Sequence, residues 1–322
     1  MRVIVYAAGM AMALLPGTPA AERRPVFPSE IGLVILQVTV KNPRGEAVRN
    51  LERGAFSVFE NGKAQSVTLF RRDDVPVSLG IAIDNSGSMR DKRARVEAAA
   101  LALVRASNPD DEVFVLSFGD KPRLDVPLTR DVGALEAGIR RGDAIGGTAL
   151  RDAVETAEEY LGAQAAHDRK ALLVVTDGND NASTTTLERV RAEAQRMGIV
   201  IHAIGLLADA DEGKARHARQ ELDDLTEATG GIVYYPRGLD EVGGIALDLA
   251  RQIRSQYTIG YNPQNQALDG SYRKVRVLAK GSERLTVRTR PGYRAGGAGV
   301  ELPADGRIIK ASKSVGRVSP EE

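Results

Sequence analysis

The sequence predicts a doubly wound, Rossmann-like α/β domain set between two antiparallel β segments that pair into a small β-sandwich. Three observations carry this prediction. From Val77 to Gln256, apolar runs of strand length alternate with helix-length segments, the pattern of a mainly parallel sheet with crossover helices. On both sides of that stretch the pattern becomes a two-residue alternation with turn signals. Each flank holds only about three strands, too few to bury a sheet face alone, so the flanks are expected to complete each other across the inserted domain.

Residues 1–20 read as an export signal. Arg2 supplies the positive end, Val3 to Leu15 is an apolar core too short to span a bilayer, and Thr18-Pro19-Ala20 offers small residues for cleavage. A proline-interrupted linker, 21–30, follows. In the first β segment, 31–75, Leu36, Val38 and Val40 alternate with Gln37, Thr39 and Lys41, a half-exposed strand over Leu33 to Lys41. Phe56–Glu60 and Ser66–Phe70 flank Asn61-Gly62, a strong hairpin signal.

The α/β domain, 76–256, starts with the apolar strand Val77–Ile83 and a helix from Arg90 to Ala106. Asp110-Asp111 orders a turn before strand 112–118. Prolines 122 and 127 restrict 123–128 to a sheet edge. A short helix (131–141) has Asp131 at its start, where a negative charge is favoured. Gly146-Gly147-Thr148 opens helix 149–165, and Ala171–Val175, apolar on both faces, belongs at the sheet centre. Helices 185–197, 214–229 and 239–256 alternate with strands 199–204 and 232–235. The second β segment, 257–293, contains strands 257–261, 272–278 and 285–290. Residues 294–322 lack periodicity and read as a disordered tail.

Composition narrows the chemistry. Lys+Arg 44 against Asp+Glu 43 leaves no global field to draw the chain to nucleic acid or a membrane. With no cysteine there are no disulfides, zinc-thiolate sites or thiol nucleophiles. The three histidines, His167, His202 and His217, lie on separate elements without metal-pair spacing, and His202 in its apolar strand reads as a satisfied core residue.

The distinctive stretch is Asp84-Asn85-Ser86-Gly87-Ser88, just past the first strand of the domain. By itself this D-x-S-x-S spacing fits either an ordinary turn or half of an oxygen site for a hard cation. In an open parallel sheet, ligands collect at the carboxyl ends of the strands where strand order reverses. If the first strand neighbours 171–175, that rule brings Thr148 and Asp177 to the same place. Two carboxylates and three hydroxyls would then converge, an arrangement that suits Mg²⁺ or Mn²⁺ and is poor as a dry core.

Asp84-x-Ser86-x-Ser88, Thr148, and Asp177 within Thr-Asp-Gly together resemble the metal-ion-dependent adhesion site of the von Willebrand factor type A domain. The flanks resemble those of exported bacterial proteins of a related group. The resemblance implies a sheet of order 3-2-1-4-5-6 over 76–256. It implies that Ser86 and Ser88 ligate Mg²⁺ (Mn²⁺ as a substitute), with Thr148 ligating directly or through water. Asp84 and Asp177 would hold coordinated waters, leaving one position for an Asp or Glu carboxylate of a partner protein. It also implies that occupation of that position couples to a slide of the last helix, 239–256. The expected protein is a non-enzymatic adhesion-type module, periplasmic, envelope-associated or secreted, without a transmembrane segment in the mature chain.

Two other readings stand beside it. One is a scaffold that holds metal for stability only. The other is a phosphotransferase-type enzyme, against which Ser86 stands where a second Asp is required and no histidine occurs in the three loops. Asp177-x-Asn179-x-Asn181 with Glu188 nearly spells a calcium loop, but Ala182 stands where that loop turns on glycine.

Overall fold

The computed structural model describes residues 32–72, 75–141 and 146–296. The expected export signal, the linker up to residue 30 and all of the expected tail beyond residue 296 lie outside them. Twenty elements follow in order: β1 (Val34–Lys41), β2 (Phe56–Glu60), β3 (Lys63–Gln65), β4 (Val67–Arg71), β5 (Val77–Asp84), α1 (Arg93–Ala106), β6 (Glu112–Phe118), β7 (Pro122–Thr129), α2 (Val132–Ile139) and α3 (Leu150–Gln164); then β8 (Arg169–Thr176), α4 (Leu187–Met197), β9 (Ile199–Gly205), α5 (Glu212–Thr229), β10 (Val233–Tyr234), α6 (Val242–Arg254), β11 (Tyr257–Tyr261), β12 (Tyr272–Ala279), β13 (Thr286–Arg288) and β14 (Gly292–Arg294).

The central sheet has six strands in the order β10-β9-β8-β5-β6-β7, parallel except for the edge strand β7. Counted within the domain this is 3-2-1-4-5-6. Strands β5, β8 and β9 are buried because helices cover both faces. Their alternate side chains feed two cores. Leu79, Ile81, Ile83 and Leu173 pack under α1, α2 and α6; Ala82, Leu172 and Val174 pack under α3, α4 and α5. Local chemistry sets the helix ends. Asp131 accepts from the backbone N–H groups of Gly133 and Ala134 to cap α2, and Gly198 and Gly230 end α4 and α5 with left-handed φ.

The flanks form two four-stranded antiparallel sheets, β13-β1-β11-β4 and β14-β12-β2-β3, and each mixes strands from before and after the α/β domain. Between them lies an apolar core containing Leu36, Val38, Val58, Ile259 and Val277. Phe56, Phe70 and Tyr257 cluster there with ring centroids 4.9–5.9 Å apart.

Three expectations are corrected. The hairpin partner of β2 is Lys63–Gln65, because Asn61 (φ 48°) and Gly62 (φ 82°) make a tight two-residue turn that pairs Glu60 with Lys63. The segment beyond it, β4, crosses to pair with β11. The polar side of β1 is not open to water, since Thr39 is only 3% exposed. That side of the sheet meets the α/β domain, where the Arg169 guanidinium donates to the backbone oxygens of Ile253 and Gln256 and to Thr258 Oγ1, and Thr258 in turn donates to Gln37. Finally, strand structure continues past Tyr293 to Arg294, where β14 pairs with β12, so the expected tail does not begin at 294.

Candidate functional site

The site lies where the carboxyl ends of β5 and β8 meet, at the reversal of strand order. Asp84 ends β5 with its carboxylate inside the fold. Its Oδ1 accepts from the Ser86 N–H at 2.8 Å, closing an Asx turn, and its Oδ2 accepts from Thr176 Oγ1 at 2.5 Å. The turn aims the two serines at one point: Ser86 Oγ and Ser88 Oγ are 3.1 Å apart, and Ser88 Oγ donates to Asp177 Oδ1 at 2.8 Å. The other carboxylate oxygen of Asp177 accepts from Lys92 Nζ at 2.5 Å.

The second loop is held by backbone bonds to the first loop and to the β6–β7 turn. Gly87 N–H donates to Gly146 O at 3.2 Å, and Ala149 N–H to Gly119 O at 2.8 Å. Thr148 is clamped to the third loop, its N–H donating to Asn181 Oδ1 and its carbonyl accepting from Asn181 N–H at 3.0 Å. Its hydroxyl faces Gly178, since a Cβ placed on that glycine would lie 3.8 Å from Thr148 Oγ1. All five expected residues are therefore gathered on three loops. Asp84, Ser86, Ser88 and Asp177 are linked through direct hydrogen bonds, and Thr148 joins through its neighbours.

Sequence reasoning overlooked several supporting groups. Thr176 fixes Asp84. Asn181 and Asp180 belong to the near-calcium loop but act as clamps, Asp180 accepting from the backbone of Arg151 and Ser183. Asp120 accepts from Gly147 N–H at 2.6 Å. Arg93 donates to Asn85 Oδ1 at 2.8 Å while paired with Glu97. Lys92 and Arg93 stand within a few residues of the motif, and that proximity was the available signal. The rest depend on contacts between loops far apart in sequence. His202, expected to be satisfied, is so on one side only: Nδ1 accepts from Ile232 N–H, and Nε2 is buried with no partner. Burial, reinforced by Arg288 and Lys41, lowers its pKa to about 3.

Asp84, Ser86, Thr148 and Asp177 are buried, whereas Ser88 is exposed, so the cluster opens to solvent on the Ser88 side. Burial pushes the Asp84 carboxyl up to about 6; hydrogen bonds from Thr176 and Ser86 oppose the rise, and Asp177 adds to it. Two carboxylates face one ammonium here, which leaves the cluster short of positive charge. The Ser86–Ser88 oxygen spacing of 3.1 Å matches the edge of about 3 Å between neighbouring ligands of an octahedral Mg²⁺ at about 2.1 Å. Among the described residues no three His, Cys, Asp or Glu side chains gather as metal ligands. A site here relies on hydroxyls.

Residues 79–179 match the family description of the von Willebrand factor type A domain. The matched residues lie within the mainly parallel, doubly wound sheet of a von Willebrand factor type A fold, and the flanking antiparallel sheets lie outside the match. Among solved structures, the chain is similar to a von Willebrand factor type A protein from Catenulispora acidiphila, with 15% identity and TM-score 0.50 over 83% of this chain and 73% of the other. It is also similar to the vWF domain of the type V pili tip protein Mfa5 from Porphyromonas gingivalis (14% identity, TM-score 0.46, 56% and 95% covered). A third is proximal thread matrix protein 1 from the mussel byssus, solved with a zinc-occupied MIDAS motif (18% identity, TM-score 0.48, 62% and 50% covered). No curated protein matches the chain. No helix among the described residues is long and apolar enough to cross a membrane.

Proposed function

We propose that the chain is an exported bacterial protein-binding module that works through a divalent cation, Mg²⁺ first and Mn²⁺ as a substitute. The observation that carries this reading is the gathering of Asp84, Ser86, Ser88, Thr148 and Asp177 from three loops, with the two serine oxygens at octahedral-edge spacing, a carboxylate within hydrogen-bond reach and one side open to water. In this reading Ser86, Ser88 and Thr148 hold the ion by their hydroxyls, and Asp84 and Asp177 supply charge and position waters. A bound ion would draw an acidic side chain of a partner protein to the open side. Catalysis is not part of the reading, because the three loops contain no histidine to serve as base for Ser86 or Ser88. Export is supported by the Arg2 to Ala20 pattern. α6 reaches β11 through Ser255 and Gln256, and Arg169 grips the carbonyls of Ile253 and Gln256, so movement of α6 would strain the sandwich.

Pull-down from envelope and culture fractions tests the reading. A partner retained in Mg²⁺, released by EDTA and lost with Asp177→Ala is the expected result. Retention through both treatments would leave a scaffold role and remove the metal-dependent one.

A further inference from the structure

Lys92 has no place in the proposed coordination set, yet it makes a direct ionic contact to it. Its Nζ lies 2.5 Å from Asp177 Oδ2, with the lysine side chain 15% exposed and the aspartate side chain 1%. Its position is locally unfavourable. Lys92 is the N-cap of α1, makes no side-chain capping bond there, and precedes a first turn without an acidic residue. Helix starts favour Asp, Asn, Ser or Thr and disfavour cations. The contact with Asp177 offsets that local cost. Next to it, Arg93 is fixed by Glu97, Asn85 and the Ile139 carbonyl and serves as a buttress. Lys92 differs in kind: a compact, strongly hydrated charge on a flexible stem.

We propose that Lys92 is a tethered cation that occupies Asp177 until a divalent ion displaces it, and so sets the metal affinity of the site. The inference rests on the metal reading above. Charge makes the two cations competitors. Asp84 and Asp177 together carry two negative charges, which one divalent ion balances, whereas the ion plus Lys92 leaves the buried cluster with an excess positive charge. The partial exposure of the lysine gives its ammonium a route to water. The site thus keeps its geometry without metal and releases the lysine when metal enters.

Calorimetric titration of Mg²⁺ and Mn²⁺ into the metal-stripped full chain tests this, comparing wild type with Lys92→Met and Lys92→Gln. Both variants are expected to bind about ten-fold or more tightly than wild type. In EDTA both should melt below wild type, and Mg²⁺ should raise their melting points by more. Damage to the fold would weaken binding, so tighter binding is a result that a merely structural lysine does not give. Wild-type binding with unchanged or weaker affinity in both variants overturns the role of Lys92 and leaves the metal reading standing. Absence of binding in all three proteins overturns the metal reading, and this inference with it.

Discussion

Two buried carboxylate clusters, one in the sandwich and one at the end of the parallel sheet, use similar parts to opposite ends. In the sandwich, Glu60 Oε2 accepts from the phenols of Tyr261 at 2.8 Å and Tyr293 at 2.7 Å, and Arg273 Nη1 stands 3.4 Å from Oε1. Arg273 is fully buried and also donates to the carbonyls of Asn265 and Ala267. The cation is fixed, and water is excluded. At the end of the parallel sheet, Asp84 and Asp177 also take hydroxyl donors, but their cation is a lysine on a movable stem and Ser88 lies open to solvent. The lesson is that a buried carboxylate marks function by how its charge is balanced, not by being buried. The Glu60 cluster closes on itself, joining residues from both flanks of the inserted domain. The other is open on one side, and under the proposed function a divalent ion would take the place of its lysine.

The largest effect expected from this contrast is in the sandwich. Glu60→Gln removes the buried counter-charge of the Arg273 guanidinium, leaving it only the half-exposed Asp269 at 3.7 Å, and should destabilise by about 3 kcal/mol, read as a lowered denaturation midpoint. Replacing both, with Glu60→Leu and Arg273→Met, should recover much of that loss. A small effect of Glu60→Gln would mean that the two clusters do not differ as described.

A fourth carboxylate sharpens the comparison because no cation pairs with it among the described residues. Glu158, in α3, is fully buried with neither oxygen hydrogen-bonded, and burial, followed by repulsion from Glu193, Glu155 and Glu159, pushes its carboxyl up to about 9. The folded state therefore keeps a proton that the unfolded chain releases near pH 4.3. Its contribution is fully present below about pH 4.3 and is lost as pH rises toward about 9. Glu158→Gln should match wild type in acid and exceed it by about 3–4 kcal/mol near pH 7, with the gap widening to pH 9. A constant gap across pH would show that the carboxyl already finds a partner.

How much of this was legible in the sequence follows from the range of the interactions. Strands β5, β8 and β9 announce themselves as apolar runs, and Asp84, Ser86 and Ser88 are adjacent in sequence, so the fold and the first loop could be read directly. Thr148 and Asp177 required a topological rule, and the structure places them where that rule predicts. The Glu60–Arg273 pair could not be read, because nothing local distinguishes a buried arginine in an alternating strand from an exposed one. The crossing of β4 depended on the tight Asn61-Gly62 turn using up its partner residues early. Glu158 reads as an ordinary polar position of an amphipathic helix. Its burial arises only once the helix and its neighbours are in place.

Metal response separates the two clusters at a smaller scale. At a Mg²⁺ concentration about 100 times the dissociation constant, wild type should gain about 2.7 kcal/mol in stability. Asp177→Asn should abolish the gain, whereas Glu60→Gln should retain it despite a lower starting stability. Thermal melts with Mg²⁺ or EDTA check this. Equal loss of response in both variants would mean that the site depends on the sandwich as a whole.

The finest comparison uses two hydroxyls that donate to carboxylates at the same distance, Tyr261 to Glu60 and Ser88 to Asp177, each at 2.8 Å. Removing each oxygen by Tyr261→Phe and Ser88→Ala deletes the same kind of bond. Around Glu60 no water can replace the lost donor, so Tyr261→Phe should cost about 1–3 kcal/mol. Ser88 is exposed, water can take its place, and Asp177 keeps its bond to Lys92. Ser88→Ala should therefore change stability in EDTA by about 0.5 kcal/mol or less while lowering Mg²⁺ affinity about ten-fold, the loss of one ligand. Denaturant unfolding in EDTA, paired with Mg²⁺ titration, reads both quantities in each variant. If Ser88→Ala destabilises the metal-free chain as much as Tyr261→Phe does, the open cluster is as structural as the closed one, and the distinction between a fixed and an exchangeable cation fails.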